Sequence, residues 1–351
     1  MTSDPSLQKS GQKVKCVVWD LDNTLWDGVL LEDDSVLLRQ GVTDIIKTLD
    51  NRGILQSIAS KNEHNHAMAK LEAYGLSEYF LYPQINWNSK AQNIDTIAKK
   101  INIGIDTFAF IDDQPFEREE VKFSLPDVLC IDATDIDQLL EMPEMNPRFI
   151  TEDSSKRRLM YLSDIQREKI EESFVGPKEE FLTTLNMVLT ITPAREEDLK
   201  RAEELTVRTH QLNTTGDTYS YEELDHFRQS EQYILLIAEL DDKYGTYGKI
   251  GLTLIECQKE VWMIKLLLMS CRVMSRGVGS VMINYIRNEV RKQGVRLQAE
   301  FLSNDRNRMM YMTYKFAHFK EKEKINERII LENDLSQVQD FPKYMKINGE
   351  W

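Results

Sequence analysis

The strongest constraint on the fold is a short apolar run that leads directly into acidic residues. Residues 14–19, VKCVVW, are mostly β-branched or aromatic, and Asp20 follows them at once. An apolar run of this length indicates a strand buried on both faces, as in the interior of a parallel sheet. Strand-like and helix-like segments then alternate as far as residue 131. Because parallel strands need crossover connections, this alternation predicts an α/β fold with a doubly wound parallel sheet.

The alternation stops at residues 141–147, EMPEMNP, where two prolines remove backbone donors and restrict the residues before them. We place a domain boundary there. The predicted organisation is a flexible N-terminus at 1–13, a first domain at 14–147, a linking helical segment at 148–185 and a second domain at 186–351. In the first domain we predict strands at 14–19, 54–59, 79–82, 107–111 and 127–131 and helices at 42–51, 63–74, 90–100 and from residue 115 onward.

The second half has a different order of elements. Three consecutive strand-like runs with short turns predict an antiparallel meander. The predicted strands are 187–192, 233–240, 247–256, 261–269, 296–302 and 327–331, and the predicted helices are 196–209, 221–229, 279–292 and 306–314. This order predicts an α+β domain.

Composition excludes several classes of function. The 351 residues contain 44 Lys and Arg against 58 Asp and Glu, a net charge of −14, which disfavours binding to nucleic acid. The longest apolar runs are far shorter than the roughly 20 residues that cross a bilayer, and the polar N-terminus lacks a secretory signal. We therefore expect a cytoplasmic protein with no membrane partner. Its four cysteines show no CxxC spacing, so we expect thiols and no disulfide framework.

Acidic residues follow two of the predicted strands. Asp20 and Asp22 come after the first strand, and Asp112 and Asp113 come after the strand at 107–111. Ligands of open parallel sheets bind at the carboxyl ends of the strands, so these carboxylates are expected to share one pocket. Hard oxygen ligands without His or Cys favour Mg²⁺ over zinc. The alternative, which is common for any single Asp, is that each caps a helix or a turn.

The order Asp-x-Asp-x-Thr, then Ser60 after a strand, then Lys90, then Asp-Asp resembles the motif set of the haloacid-dehalogenase-like superfamily. The resemblance implies that Asp20 is the nucleophile and Asp22 the general acid and base. It also implies that Thr24 supports the loop and belongs with Ser60 and Lys90 to the phosphate-binding set. Mg²⁺ would be held by the side chains of Asp20, Asp112 and Asp113 and by the backbone carbonyl of Asp22.

The intervals between these motifs are short. Thr24 and Ser60 are separated by a stretch that a turn, a helix and a strand already fill, and the stretch from Ser60 to Lys90 is shorter still. Neither interval has room for the cap domain that many members of the superfamily carry. The sequence therefore predicts a capless, open pocket that suits a large substrate or a partner protein.

A second motif lies between a strand and a helix in residues 269–280, MSCRVMSRGVGS. Gly277 and Gly279 allow backbone N–H groups to face a phosphate at a helix N-terminus. The surrounding order of elements resembles the GCN5-related N-acetyltransferase fold, in which two splayed strands grip pantetheine and the glycine turn holds the pyrophosphate of coenzyme A. Cys271 is then the candidate acyl-carrying nucleophile, and Arg272 or Arg276 lowers its pKa. The alternative is that Cys271 is a packing residue.

Four segments together resemble the FkbH family: VVWDLDNTLWDGVL, FAFIDDQPFEREEV, RTHQLNTTGDTYS and LMSCRVMSRGVGS. The resemblance runs from about Val14 to Phe341, with Gln114 where Asn is expected and His318 where Gly is usual. It implies a bifunctional enzyme that takes the glyceryl group of 1,3-bisphosphoglycerate, removes phosphate and loads a thioester on an acyl carrier protein for polyketide assembly. The third segment adds His210 and Asn213 to the predicted pantetheine and substrate set, with Arg272, Arg276 and the two glycines.

Three alternatives to this function stay open on the sequence. A plain Mg²⁺-dependent phosphatase would need no carrier and no Cys271. A scaffold with an inactive site would show no Mg²⁺-dependent chemistry, and an acetyltransferase would bind acetyl-CoA. Because carrier proteins are generally acidic and this chain is too, docking is expected to use a local basic patch, Lys156-Arg157-Arg158.

Overall fold

The computed structural model describes residues 14–33, 35–336 and 339–351, and the chain divides into two compact units, Met1–Leu162 and Ser163–Trp351. The division lies within the predicted linking segment, 148–185. Each unit has its own apolar core. The N-terminus at 1–13, predicted to be flexible, lies outside the described residues.

The first unit begins with the predicted strand and continues as an alternation of strands and helices. Its elements are β1 (Cys16–Trp19), β2 (Trp26–Asp27), β3 (Leu37–Leu38), α1 (Val42–Asn51), β4 (Leu55–Ser60), α2 (His64–Ala73), β5 (Gln84–Ile85), α3 (Lys90–Ile101), β6 (Phe108–Asp112), α4 (Pro115–Ser124), β7 (Leu129–Asp132), α5 (Glu152–Ser155) and the start of α6 (Arg157–Ser173).

The five-stranded sheet of this unit is entirely parallel and has the order β5-β4-β1-β6-β7. The central strand β1 is buried along its whole length, with Trp19 beside Ile58 of β4 and Ile111 of β6. The predicted parallel α/β sheet is confirmed. Since chain order runs outward in both directions from β1, the carboxyl ends of β1, β4 and β6 open at one edge.

One predicted strand is wrong. Residues 79–82 were expected to be extended, but the chain forms a 3-10 turn at Ser77–Tyr79, and Tyr82 has a φ of 49°. This left-handed backbone ends an extended segment. Of the predicted strand only Phe80 pairs with the sheet, through a single parallel bridge to Gln56 of β4. The edge strand is β5, which pairs with Ala59 and Ser60 of β4.

The two motif intervals contain no inserted domain among the described residues. Between β1 and β4 the chain forms the two short antiparallel strands β2 and β3 and helix α1. Between β4 and α3 it forms α2, one 3-10 turn and β5. The edge of the sheet that carries the acidic residues therefore has no cap domain within these intervals.

The described part of the second unit contains an α-helical start, a long mixed sheet and four further helices. Its elements after α6 are α7 (Lys178–Thr184), β8 (Met187–Pro193), α8 (Leu199–Arg208), α9 (Tyr221–Gln229), β9 (Tyr233–Asp242), β10 (Gly245–Cys257), β11 (Val261–Met269), α10 (Val278–Gln293), β12 (Arg296–Leu302), α11 (Arg308–Phe316), β13 (Phe319–Ile325), β14 (Arg328–Asn333) and β15 (Met345–Gly349). In the described part of the chain, no helix combines the length and apolar character that crossing a membrane requires.

Eight strands form this sheet in the order β13-β14-β12-β11-β10-β9-β8-β15. The antiparallel meander of β9, β10 and β11 is confirmed. Helix α7 lies within the predicted linking helical segment, 148–185, whereas strands β13 and β15 were not predicted from the sequence. His318, which precedes β13, has a φ of 65°, a conformation that favours glycine.

The middle of α6 is held by charged contacts. Arg167 is fully buried, donates to both carboxylate oxygens of Asp242 at 2.7 Å and stacks 3.9 Å from the ring centroid of Tyr247. Its other side chain partner is Asp164, at 2.9 Å. A buried guanidinium needs such pairing, so this contact anchors residues 163–173 within the second unit.

Truncating one core side chain of the first sheet should destabilise the protein. Ile58 of β4 is fully buried, whereas Ile150 is 60% exposed, so the same Ile→Ala change has very different consequences at the two sites. We expect Ile58→Ala to lower the free energy of unfolding by about 2–5 kcal/mol and Ile150→Ala by less than about 0.5 kcal/mol. Urea denaturation measures both, and equal effects would contradict the assigned core.

Candidate functional site

The predicted acidic residues of the first unit lie at one edge of the parallel sheet. Asp20 directly follows β1, and its backbone N–H donates to the carbonyl of Ile111 at 2.9 Å. Ser60 is the last residue of β4, and Asp112 is the last residue of β6. The three neighbouring strands therefore bring Asp20, Ser60 and Asp112 together, as the sequence predicts.

Lys90 joins two of these carboxylates. It is the first residue of α3 and is only 3% exposed. Its ammonium group donates to Asp20 and, at 3.0 Å, to Oδ2 of Asp112. A buried lysine is stable only when paired, so this geometry fixes the ammonium group between the two strand ends.

Burial and charge compete at this edge. Burial raises the pKa of Asp20, and the Lys90 ammonium and the Ser60 hydroxyl oppose the shift without cancelling it. Burial, together with the charge of Asp20, raises the pKa of Asp112 to about 6. Burial lowers the pKa of Lys90, but the two carboxylates outweigh burial and keep that pKa above its ordinary value. The site therefore holds its carboxylates in an environment that favours an added cation.

Three carboxylates can hold a metal ion here. One oxygen each from Asp20, Asp112 and Asp113 lies within 4.8 Å of the other two. Oδ1 of Asp113 is buried and, in the described residues, has no hydrogen-bond partner, although buried carboxylate oxygens normally have one. The backbone N–H of Asp113 donates to Oγ1 of Thr24 at 3.0 Å, which fixes the loop. A hard, all-oxygen set with an unsatisfied oxygen fits Mg²⁺.

Asp22 is held apart from this carboxylate group by three donors. Its Oδ1 accepts from the indole N–H of Trp26 at 2.8 Å and from the backbone N–H of Leu30 at 3.1 Å. Its Oδ2 accepts from the side-chain amide of Asn62 at 3.0 Å. The carboxylate of Asp22 is therefore oriented separately, which leaves the backbone carbonyl as its predicted contribution to the metal. Sequence reasoning missed Asn62, whose only signal is its place two residues after Ser60.

Glu117 also belongs to the surroundings of this site. Its place in the sequence, five residues after Asp112, is compatible with a supporting carboxylate or with a solvated helix face. The structure buries it to 7% exposure in the first turn of α4 and pairs it with Lys61 at 2.7 Å. Its Oε2 is buried without a hydrogen-bond partner among the described residues. The solvated interpretation is therefore wrong for Glu117.

In the second unit, Cys271 begins a 3-10 turn, Cys271–Arg276, between β11 and α10. The two neighbouring arginines are engaged inside the protein. Arg272 donates to the backbone carbonyl of Tyr247 at 2.7 Å, and Arg276 pairs with Glu171 at 3.0 Å. These contacts fix the turn that carries Cys271.

The glycine turn leads into α10 as predicted. Gly277 has a φ of 77°, which suits glycine, and a Cβ atom at this position would lie 2.5 Å from the hydroxyl oxygen of Tyr344. A Cβ atom at Gly279 would meet the Met269 side chain at 2.5 Å. The positive φ and the close approach of Tyr344 thus favour glycine at position 277, whereas a Cβ atom at position 279 would displace the flexible end of the Met269 side chain.

The other three cysteines agree with a packing interpretation. Cys16 is fully buried in β1, and burial raises the pKa of its thiol well above the ordinary value. Burial also raises the pKa of Cys130 and of Cys257 to about 11 each. These thiols are therefore protonated near neutral pH and poor nucleophiles.

The two predicted residues of the 208–215 segment have different surroundings. Asn213 is fully buried, and its Oδ1 accepts from the backbone N–H groups of Thr215 at 3.1 Å and Gly216 at 2.8 Å. His210 is exposed. Asn213 therefore shapes the loop after α8.

The basic residues expected to form a docking patch are partly engaged within the first unit. Arg158 pairs with Asp50 at 3.0 Å, and Arg157 donates to the backbone carbonyl of Gly53. Lys156 remains half exposed. These contacts hold the segment after α5 and reduce the charge that it presents to a partner.

No protein-family model matches the chain, and no curated protein matches it. Among solved structures, the N-terminal part of a Bacteroides fragilis protein that contains a phosphatase domain, complexed with Mg, is 31% identical, with a TM-score of 0.36 over 39% of this chain. The match covers 42% of that structure.

Further matches fall on acetyltransferases. The ribosomal-protein-S18-alanine N-acetyltransferase of Escherichia coli is 16% identical, with a TM-score of 0.34, over 43% of this chain and 97% of that one. The GNAT domain of a PAT protein from S. lividans is 17% identical, with a TM-score of 0.33, over 40% of this chain and 88% of that one.

Removing one carboxylate should weaken metal binding. Asp113→Asn replaces the anionic ligand that has an unsatisfied oxygen, so we expect the affinity for Mg²⁺ to fall at least about tenfold, a loss of about 1.4 kcal/mol. Asp135→Asn, an exposed residue of the same unit, is the matched control and should leave the affinity unchanged. Isothermal titration with MgCl₂ measures both, and an equal affinity for all three chains would contradict the assigned ligands.

Proposed function

We propose that the first unit is a Mg²⁺-dependent phosphatase and the second an acyl transferase. Together they take the glyceryl group of 1,3-bisphosphoglycerate, remove phosphate and load the glyceryl group as a thioester on an acyl carrier protein. The observation that carries the proposal is the buried cluster of Asp20, Asp112 and Asp113 with Lys90 between two of its members. The motif resemblance over both halves supplies the donor and the carrier.

The phosphatase step uses Asp20 as the nucleophile. A carboxylate oxygen of Asp20 forms a bond to phosphorus while the bond from phosphorus to the ester oxygen breaks. Lys90 and the Ser60 hydroxyl, both directed at Asp20, are placed to hold the oxygens of the transferring group. A bound Mg²⁺ would neutralise charge among the carboxylates and on the phosphate.

Asp22 acts as the general acid and the general base in this step. It donates a proton to the departing alcohol oxygen and then takes one from the water that attacks the phosphorylated Asp20, so inorganic phosphate leaves and both aspartates are restored. The donors from Trp26, Leu30 and Asn62 hold its carboxylate in one orientation for both steps. Such help is needed because phosphate monoesters hydrolyse extremely slowly without a catalyst.

The transfer step needs less assistance, because an acyl phosphate is already an activated donor. The Cys271 sulfur forms a bond to the acyl carbon, the bond from that carbon to the phosphate oxygen breaks, and the thiol proton passes to the phosphate or to solvent. The carrier's thiol then exchanges with the cysteine thioester and returns a proton to Cys271. The absence of a cap in the described motif intervals leaves room for such a partner at the first site.

Two variants should separate these steps. The chain, Mg²⁺, 1,3-bisphosphoglycerate and a phosphopantetheinylated carrier are mixed and the carrier is weighed by intact-protein mass spectrometry. We expect a glyceryl mass on the carrier with the unaltered chain, a phosphoglyceryl mass with Asp20→Asn, and an unmodified carrier with Cys271→Ala.

Cys257→Ala is the matched control, because Cys257 lies at the end of β10 and has no assigned role. It should load the carrier as the unaltered chain does. Phosphate release with a carrier that stays unmodified by every chain would contradict acyl transfer and leave a plain phosphatase. Full loading of the carrier by Cys271→Ala would show that Cys271 does not carry the acyl group.

A further inference from the structure

The second sheet opens between two parallel strands. Strands β11 and β12 pair only from Val261 with Arg296 to Ile264 with Ala299, and then they diverge. At the point of divergence Lys265 is the extra residue of a β-bulge, since Leu254 pairs with Leu266 and Ile255 with Ile264. A bulge increases the local twist, which accounts for the opening.

A segment of the chain itself fills this opening. The backbone carbonyl of Leu212 accepts from Met269, and the backbone N–H of Thr214 donates to the carbonyl of Leu267 at 3.1 Å. On the other side, the carbonyl of Thr214 accepts from the backbone N–H of Leu302 at 3.0 Å. The segment 212–214 is therefore bonded to both diverging strands.

This segment is buried and held by side chains as well. Oγ1 of Thr214 accepts from the backbone N–H of Leu267 at 3.0 Å, and the amide of Asn307 donates to the carbonyl of Asn213 at 3.1 Å. Asn213, Thr214 and Asn307 are fully buried. The backbone groups of the two strands that would contact a pantetheine arm lying between them therefore already have hydrogen-bond partners. A ligand at this position must be recognised by side chains.

An open cleft of about 640 Å³, called the cavity below, lies at the same divergence and has a volume in the range of small-molecule sites. Its charged walls are Lys265 at the bulge, Glu300 on β12, Arg328 on β14 and Asp217 in the loop after α8. The rest of the lining consists of Gly216, Thr218 and Tyr219.

The charges of the cavity neutralise one another. Arg328 donates to both oxygens of Asp217, at 2.8 and 2.9 Å, and to Glu300 at 3.0 Å. Lys265 donates to the other oxygen of Glu300. Burial raises the pKa of Asp217, but Arg328 outweighs burial and holds that pKa below its ordinary value, so the pair is ionised at neutral pH. Two cations of the lining thus face two anions of the lining, and Glu256, outside the lining, lies 3.8 Å from Lys265.

This balance of charges determines which class of ligand the cavity can bind. A phosphate dianion would have to compete with two carboxylates for cations that they already occupy, and it would lie close to both carboxylates. A hydroxyl group can both donate to a carboxylate and accept from an ammonium or guanidinium group. The walls therefore suit a neutral ligand that carries hydroxyl groups.

We propose that this cavity binds the dephosphorylated glyceryl group at the end of the carrier's pantetheine arm and discriminates against its phosphorylated precursor. The assignment of that acyl group rests on the proposed function, whereas the preference for a neutral hydroxylated ligand rests on Lys265, Asp217, Glu300 and Arg328. Among the described residues, the lining contains no cysteine, so the sulfur of the bound thioester belongs to the carrier's arm.

Stable amide analogues of glyceryl-pantetheine and 3-phosphoglyceryl-pantetheine test the proposal. Hydrogen exchange read by mass spectrometry on the full chain, in the Asp20→Asn background without divalent ions, reports where each analogue protects the backbone. We expect the glyceryl analogue to protect residues 214–219 and 296–302, with an affinity at least tenfold higher than that of the phosphorylated analogue at these peptides.

Charge variants should change this preference in a defined direction. Asp217→Asn and Glu300→Gln each remove one negative charge from the lining, so the phosphorylated analogue should gain affinity there at least about fivefold. Glu222→Gln, an exposed residue of α9, is the matched control and should change nothing. The opposite ranking of the two analogues in the unaltered cavity, or no response to either charge variant in a folded chain, would overturn the proposal.

The experiment also separates this proposal from the proposed function. If the carrier is loaded but the glyceryl analogue protects neither peptide, the cavity assignment fails and the transferase stands. Protection of both peptides in a chain that never loads a carrier would support the neutral-ligand site and reject the glyceryl transfer.

Discussion

The buried ammonium group of Lys90 is the interaction on which the candidate phosphatase site depends. It bridges carboxylates that follow two adjacent strands, β1 and β6, and both strands are central in the sheet. Without a cation between them, Asp20 and Asp112 would be like charges in a buried environment, which raises the pKa of both groups. The lysine thus allows the strand ends to hold acidic groups together, and the same arrangement leaves Asp113 with an oxygen to offer a metal.

Both units place their candidate sites where neighbouring parallel strands end or separate. In the first unit the strand ends bring carboxylates together at an edge where the described motif intervals carry no cap domain. In the second unit a bulge at Lys265 separates β11 from β12, and the chain fills the gap with its own segment 212–214. The first site suits anions and a divalent cation, while the internally neutralised cavity of the second suits a neutral ligand. The dephosphorylated product of the proposed phosphatase step therefore matches the ligand proposed for the second site.

Much of the first unit could be predicted because its elements are determined locally. The buried run at β1 and the acidic residues at the carboxyl ends of β1 and β6 indicate the sheet and the site. Long-range contacts could not be predicted in the same way. The pairing of Asn62 with Asp22, the burial of Glu117 and the insertion of Thr214 between two strands each depend on residues far apart in the sequence. The predicted strand at 79–82 failed because apolar residues there did not reveal the left-handed backbone of Tyr82.

The central claim is that a phosphoryl group passes through the carboxylate of Asp20. Its most direct test is to quench the chain during turnover with Mg²⁺ and a phosphorylated substrate, reduce it with sodium borohydride and sequence the peptides by mass spectrometry. An aspartyl-phosphate at Asp20 would be reduced to homoserine, and this conversion should require both the substrate and Mg²⁺. Conversion at another aspartate, or turnover with Asp20 unmodified at every quench time, would contradict the account.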